Sequence, residues 1–118
     1  MFSEILESIM QKVEGTLGTI VMGMDGISIE KRFSEEAANI EVLAAEYTSL
    51  LRSSYSSTPE MGLGALEEFL ITTANRIIVV HMINPEYFVL ALLSRDGNLG
   101  RARFELKKAK YRLAQEMA

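Results

Sequence analysis

Imidazole chemistry has one possible location in this chain, His81, the only histidine. It stands between Val80 and Met82 in an apolar run, where a buried, hydrogen-bonded ring is a simpler reading than a general base. There is no cysteine, which rules out disulfides, thiolate nucleophiles and thiolate metal ligands. No second histidine and no carboxylate cluster at ligand spacing accompany His81, so no metal is expected. Serines crowd the stretch 53–57, but no G-x-S-x-G elbow surrounds any of them. The glycine pairs Gly15/Gly18, Gly62/Gly64 and Gly97/Gly100 lack both the Lys-Ser/Thr of a P-loop and the three-glycine dinucleotide spacing. Gly97–Gly100 opens a helix, where backbone N–H groups can hold an anion, yet turn geometry alone accounts for it. The residues thus predict no catalytic group, no cofactor and no enzyme.

Chemistry for contact is better represented. The last predicted helix carries Arg101, Arg103, Lys107, Lys108, Lys110 and Arg112 against Glu105 and Glu116. Phe104 and Tyr111 lie seven residues apart, on one line away from the helix's apolar stripe. Two readings of those rings stand: packing on the first helix, or contact with an acidic partner. Basic and aromatic interleaving is also compatible with RNA or an anionic membrane. A second contrast lies within the predicted helix 36–57. One face repeats Ile40, Leu43, Ala44, Tyr47, Leu50 and Leu51 at core spacing. The opposite face should be charged, but its centre reads Ala38, Val42, Ala45, Ser49 and Ser53, with Glu41, Glu46 and Arg52 at the margins. Small uncharged residues let another backbone approach closely, which predicts a helix held between its own sheet and a second subunit.

These groups need a frame. The 118 residues are expected to form a single domain over 1–118, and 48% apolar with 24% charged residues describes an ordinary globule. No apolar run reaches the roughly 18 residues of a membrane span. Met1–Gln11 has Glu4 and Glu7 in place of a basic leader, so no secretion signal is expected and a cytoplasmic location is. Residues 1–68 hold 12 acids against 4 bases, whereas residues 69–118 hold 4 against 8. The acidic half argues against nucleic acid as the partner of the whole chain.

Phe2, Ile5, Leu6, Ile9, Met10 and Val13 mark a first helix. Strands are predicted over 19–24 and 27–32, joined by the hairpin signal Asp25-Gly26. Ser34 is the expected N-cap of the long second helix, which should stop by Pro59. Three more strands follow at 66–73, 77–83 and 87–93, the first turn between them resting on a positive φ at Asn75. The near-continuous apolar runs of the last two predict central strands covered on both faces. A final helix, about 99–117, is capped by Asn98 or Asp96. The order α-β-β-α-β-β-β-α with short hairpins predicts an α/β (α+β) three-layer sandwich. Its five-stranded, mainly antiparallel sheet carries the second helix on one face and the other two helices opposite.

At this point the residues resemble the roadblock/dynein light chain family, in its stand-alone, MglB-like prokaryotic form. The resemblance rests on Gly18-Thr-Ile-Val-Met-Gly-Met-Asp-Gly-Ile-Ser-Ile, on Gly62-Leu-Gly64 before the third strand, and on Ser94-Arg-Asp-Gly-Asn-Leu-Gly100 leading into the last helix. It spans nearly the whole chain. Glu14-Gly15-Thr16 stands where the family often has Pro-Gly, and the MglB-like C-terminal extension is not matched. The resemblance implies a homodimer, or a heterodimer with a paralogue, in which second helices pack antiparallel and third strands pair edge to edge. The dimer interface would then comprise Ala38, Val42, Ala45, Ser49, Ser53, Glu68, Leu70 and Thr72. It further implies a small Ras-like GTPase as partner, met by Glu41, Ala45, Ser49 and Arg52. GTP hydrolysis by that partner would be stimulated at most indirectly, without catalytic residues from this chain. The alternative is a dimeric assembly adaptor without GTPase contact that uses the basic last helix as its partner surface. Neither nucleic acid nor membrane is expected as a partner.

Overall fold

Two strands with no polar face must lie in the middle of a sheet, and the computed structural model, which describes residues 1–118, puts them there. The elements are α1 (Phe2–Lys12), β1 (Thr16–Gly23), β2 (Ser28–Phe33), a 3-10 turn (Glu35–Ala37), α2 (Ile40–Glu60), β3 (Glu68–Thr72), β4 (Arg76–Asn84), β5 (Tyr87–Ser94) and α3 (Leu99–Met117). The sheet runs β2-β1-β5-β4-β3, with every neighbouring pair antiparallel. Strand alternation then splits the core in two. Val21, Val79, Val89, Ala91 and Leu93 pack against Ile5, Leu6 and Ile9 of α1 and Ala102, Leu106 and Leu113 of α3. Ile20, Met22, Val80, Phe88 and Leu90 pack against Ile40, Ala44 and Leu51 of α2. The fold is therefore a mixed α+β sandwich, with one helix on one face and two on the other.

Several local expectations need correction. β1 starts at Thr16, three residues before the predicted 19. Ser34 does not cap α2: its hydroxyl donates to the Leu17 carbonyl, a 3-10 turn follows, and the α-helix begins after Asn39. Pro59 lies inside the last turn of α2, which runs on to Glu60. The N–H that proline lacks matters little so near the end, where Met61 N–H reaches the Ser57 carbonyl at 3.2 Å. No non-glycine residue takes a positive φ, Asn75 included. Thr73 closes that turn instead, its hydroxyl oxygen accepting from the N–H groups of Asn75 and Arg76. β3 is shorter than the predicted 66–73.

The start of α3 has the Asn98 cap, whose Oδ1 accepts from Arg101 N–H at 3.0 Å; Asp96 accepts from the Ser94 hydroxyl instead. Gly97 and Asn98 spend their own N–H groups on the carbonyls of Ser94 and Glu14. The pair Gly97/Gly100 therefore serves turn geometry. A side chain on Gly15, at φ +86°, would run into the Gly97 backbone, so this crossing requires two glycines.

The two sheet edges differ. β2 presents Lys31 and Arg32 at its edge, with Lys31 paired to Glu41 and stacked over Phe33 at 5.8 Å. β3 has the sequence Glu-Phe-Leu-Ile-Thr and carries no cation. No helix is long and apolar enough to cross a membrane.

Candidate functional site

The core face of α2 is set by Ile40, Ala44, Thr48 and Leu51, all buried. Thr48 is buried, although it is absent from the apolar stripe read from the sequence. Its hydroxyl donates to the Ala45 carbonyl at 2.7 Å, so a polar residue can be buried without an orphaned group. Leu50 turns outward and is 49% exposed. The outer face therefore gains a large apolar residue that periodicity had assigned to the core.

The proposed seam residues fall as follows. Val42 is 66% exposed, and Ser49 and Ser53 are exposed on the same helix. Ala38 is exposed just before α2 begins, and Ala45 is half-buried against the core. Glu41 is exposed but paired with Lys31 of β2. Arg52 donates to the Met24 carbonyl at the end of β1, bracing the β1–β2 hairpin rather than standing free.

β3 divides its side chains between the two faces. Phe69 and Ile71 are half-buried on the α2 side of the sheet. The α2 backbone lies against β1 and β2, so this end of the face is thinly covered. By alternation Glu68, Leu70 and Thr72 point to the α3 side. The edge backbone of β3 is thus unpaired, but these three side chains do not share a surface with the α2 stripe. Phe69 and Ile71 do, and the sequence reading missed them along with Leu50. The alternation in Glu-Phe-Leu-Ile-Thr was visible; which parity faced α2 was not.

Glu68 instead completes a polar cluster. It sits directly opposite His81 in the β3–β4 register, and the two meet through His81 Nε2 and Glu68 Oε2 at 2.8 Å. Arg103 of α3 grips the same carboxylate, with Nε 3.0 Å from both oxygens. Burial pushes the His81 imidazole below its ordinary value, against the opposing pull of Glu68. A neutral ring facing a carboxylate must carry its proton on Nε2, which donates; buried Nδ1 has no partner. Burial also pushes Glu68 upward, but the hydrogen bonds from Arg103 and His81 outweigh it and hold the carboxyl below its usual range. This arrangement ties an edge strand to a helix. The core reading of His81 holds, with its bond to Glu68 as the feature sequence did not show.

Phe104 and Tyr111 of α3 are 55% and 61% exposed. They do not pack on α1. Their neighbours are cations, with Lys108 4.8 Å from the Phe104 ring centre and Lys110 5.2 Å from that of Tyr111.

No family model matches the sequence, and no curated protein matches it. Solved structures do. The crystal structure of MglC from Myxococcus xanthus is 28% identical, covers 98% of each chain and superposes with a TM-score of 0.75. The gliding protein MglB from Thermus thermophilus is 16% identical over 98% of this chain and 89% of its own, at a TM-score of 0.85. A roadblock/LC7 domain from Streptomyces avermitilis is 13% identical over 97% and 95%, at 0.84. Strand order, helix placement and full-length superposition together identify this chain as built on the roadblock/LC7 fold, with roadblock/LC7 domain proteins, MglB and MglC among them, as its structural neighbours.

Proposed function

We propose that this chain is a homodimeric regulator or scaffold whose paired α2 helices receive a small Ras-like GTPase. The observation that carries the proposal is the outer face of α2. Val42 and Leu50 are exposed there among uncharged serines, beside a β3 edge whose Phe69 and Ile71 are only half-covered. Patches of this kind on a soluble domain mark contact with protein. A second copy related by a twofold axis would lay its α2 antiparallel on the first, pair β3 with β3, and cover the exposed end of the sheet. The structural likeness to the gliding protein MglB is in line with the sequence resemblance, and the small GTPase which that resemblance implies is the next partner in this reading.

Such a protein needs no catalytic residues of its own. It acts by binding one arrangement of its partner's switch loops better than the other. Glu41, Ala45, Ser49 and Arg52 lie along the contact surface in this reading. Arg52 serves there as a brace for the Met24 carbonyl rather than as an arginine finger. A cytoplasmic location follows from the partner.

Because Ala45 is half-buried, Ala45→Glu would mix misfolding with loss of the seam, and Val42→Glu is the cleaner variant. Sedimentation velocity should show a dimer for the parent chain and a monomer with an unchanged far-ultraviolet spectrum for Val42→Glu. A dimer that survives this substitution would exclude the α2 seam. For the partner, immobilised protein exposed to lysate with GDP or a non-hydrolysable GTP analogue should retain a small GTPase in one nucleotide state. Retention of none in either state removes the GTPase from the proposal.

A further inference from the structure

On the face of the sheet opposite α2, the flank of α3 and the end of β3 enclose a groove of about 240 Å³. Its walls are Phe104, Lys107 and Lys110 of α3, and its floor is the Glu68–His81–Arg103 cluster. Arg103 is already neutralised by Glu68, whereas Lys107 and Lys110 form no ion pair. Lys110 is half-buried, its ammonium lying 5.2 Å from the centre of the Tyr111 ring. Phe104 stands beside these lysines with over half its surface exposed, so its ring is available to an apolar group.

Size and charge choose among occupants. The volume lies below the roughly 300–1,000 Å³ of a small-molecule site. A long polyanion or a charged membrane would also meet α1, which lies beside α3 in the same layer; its N-terminal half adds no surplus positive charge there, Glu4 being paired with the terminal ammonium and Glu7 with Arg32. Glu67 at the mouth of the groove adds a repulsion to anything that extends past the lysines. A short peptide avoids that carboxylate. We propose that this groove docks an acidic peptide segment of a partner protein, with carboxylates on Lys107 and Lys110 and an aromatic or long aliphatic side chain against Phe104. It opens on the face of the sheet opposite α2, although its floor reaches the β3 strand that the proposed dimer pairs.

The test begins with selection from a random dodecapeptide display library on the immobilised full chain. Enriched peptides should be net acidic and contain an aromatic or long aliphatic residue. A synthetic copy of one of them should bind the parent chain and lose about tenfold or more in affinity against Lys107→Glu/Lys110→Glu. Phe104→Ala should weaken it several-fold, and Val42→Glu should leave it unchanged, which separates this site from the α2 reading. These side chains lie outside the core, and an unchanged thermal midpoint confirms the fold of each variant. The proposal is overturned by no enrichment, by enriched peptides without acidic bias, or by indifference to the double charge reversal. It is equally overturned if polyuridylate or phosphatidylserine vesicles bind the parent chain and compete with the peptide, since the surface would then be a general polyanion site.

Discussion

Glu68 and His81 share one hydrogen bond, and their titrations pull stability in the same direction. Burial holds the imidazole below its ordinary 6.5, so on acidification the unfolded chain takes up that proton first. Stability is complete above about 6.5 and falls as pH drops toward the folded value. Glu68, held below its ordinary 4.5, contributes stability above that value that is lost as pH falls through the folded carboxyl value. His81 is the only histidine, so a single imidazole resonance reports it. Its midpoint should lie below 6.5 in the parent chain and lower still in Glu68→Gln, which removes the opposing charge. A midpoint that rises in the variant would show that Glu68 does not hold the ring. The same variant should cost about 1 kcal/mol at neutral pH, a modest figure because Arg103 is partly exposed. At the N-terminus of α3, Asn98→Ala removes the cap on Arg101 N–H and should cost about 1 kcal/mol by urea denaturation. No change there would mean that solvent replaces the cap without loss.

The adjacent pair Leu50 and Leu51 tests the phase of α2. Leu51 is fully buried, and Leu51→Ala should cost about 2–5 kcal/mol in the monomer. Leu50→Ala should leave monomer stability nearly unchanged and weaken self-association, read by denaturation at two protein concentrations. Equal costs for both would put the helix in a different rotation. This pair also shows what the sequence could convey. The period of α2 was legible because apolar residues recur at three and four. Its phase was not, since neighbours only about 100° apart both fit a wide stripe, and a threonine that bonds its own helix's carbonyl competes for the core on equal terms. Central strands were legible because β4 and β5 have no polar face. The uncharged outer face of α2 was legible too, apart from the outward turn of Leu50. Phe69 and Ile71 were missed because alternation names two faces without saying which one lacks a helix. The tie of Glu68 to His81 and Arg103 was not legible, because sheet register and helix docking bring these three together and no local pattern encodes that.

At the scale of the whole molecule, the sheet separates two kinds of surface. An uncharged, partly apolar face lies over α2, and a cationic, aromatic one lies along α3. The edges of the same sheet set a further limit. Lys31 and Arg32 guard β2, while β3 offers its backbone with no cation in the strand. If two copies join through β3 as proposed, edge-to-edge growth has a valence of one: the dimer would expose only β2 edges carrying Lys31 and Arg32, and addition would terminate. Replacing Lys31 and Arg32 with threonine would raise the valence to two. Light scattering should then grow with concentration and time as open-ended filaments form, where the parent chain stays flat. A variant that remained dimeric would mean that twist or side-chain cover, rather than charge, is the chain terminator.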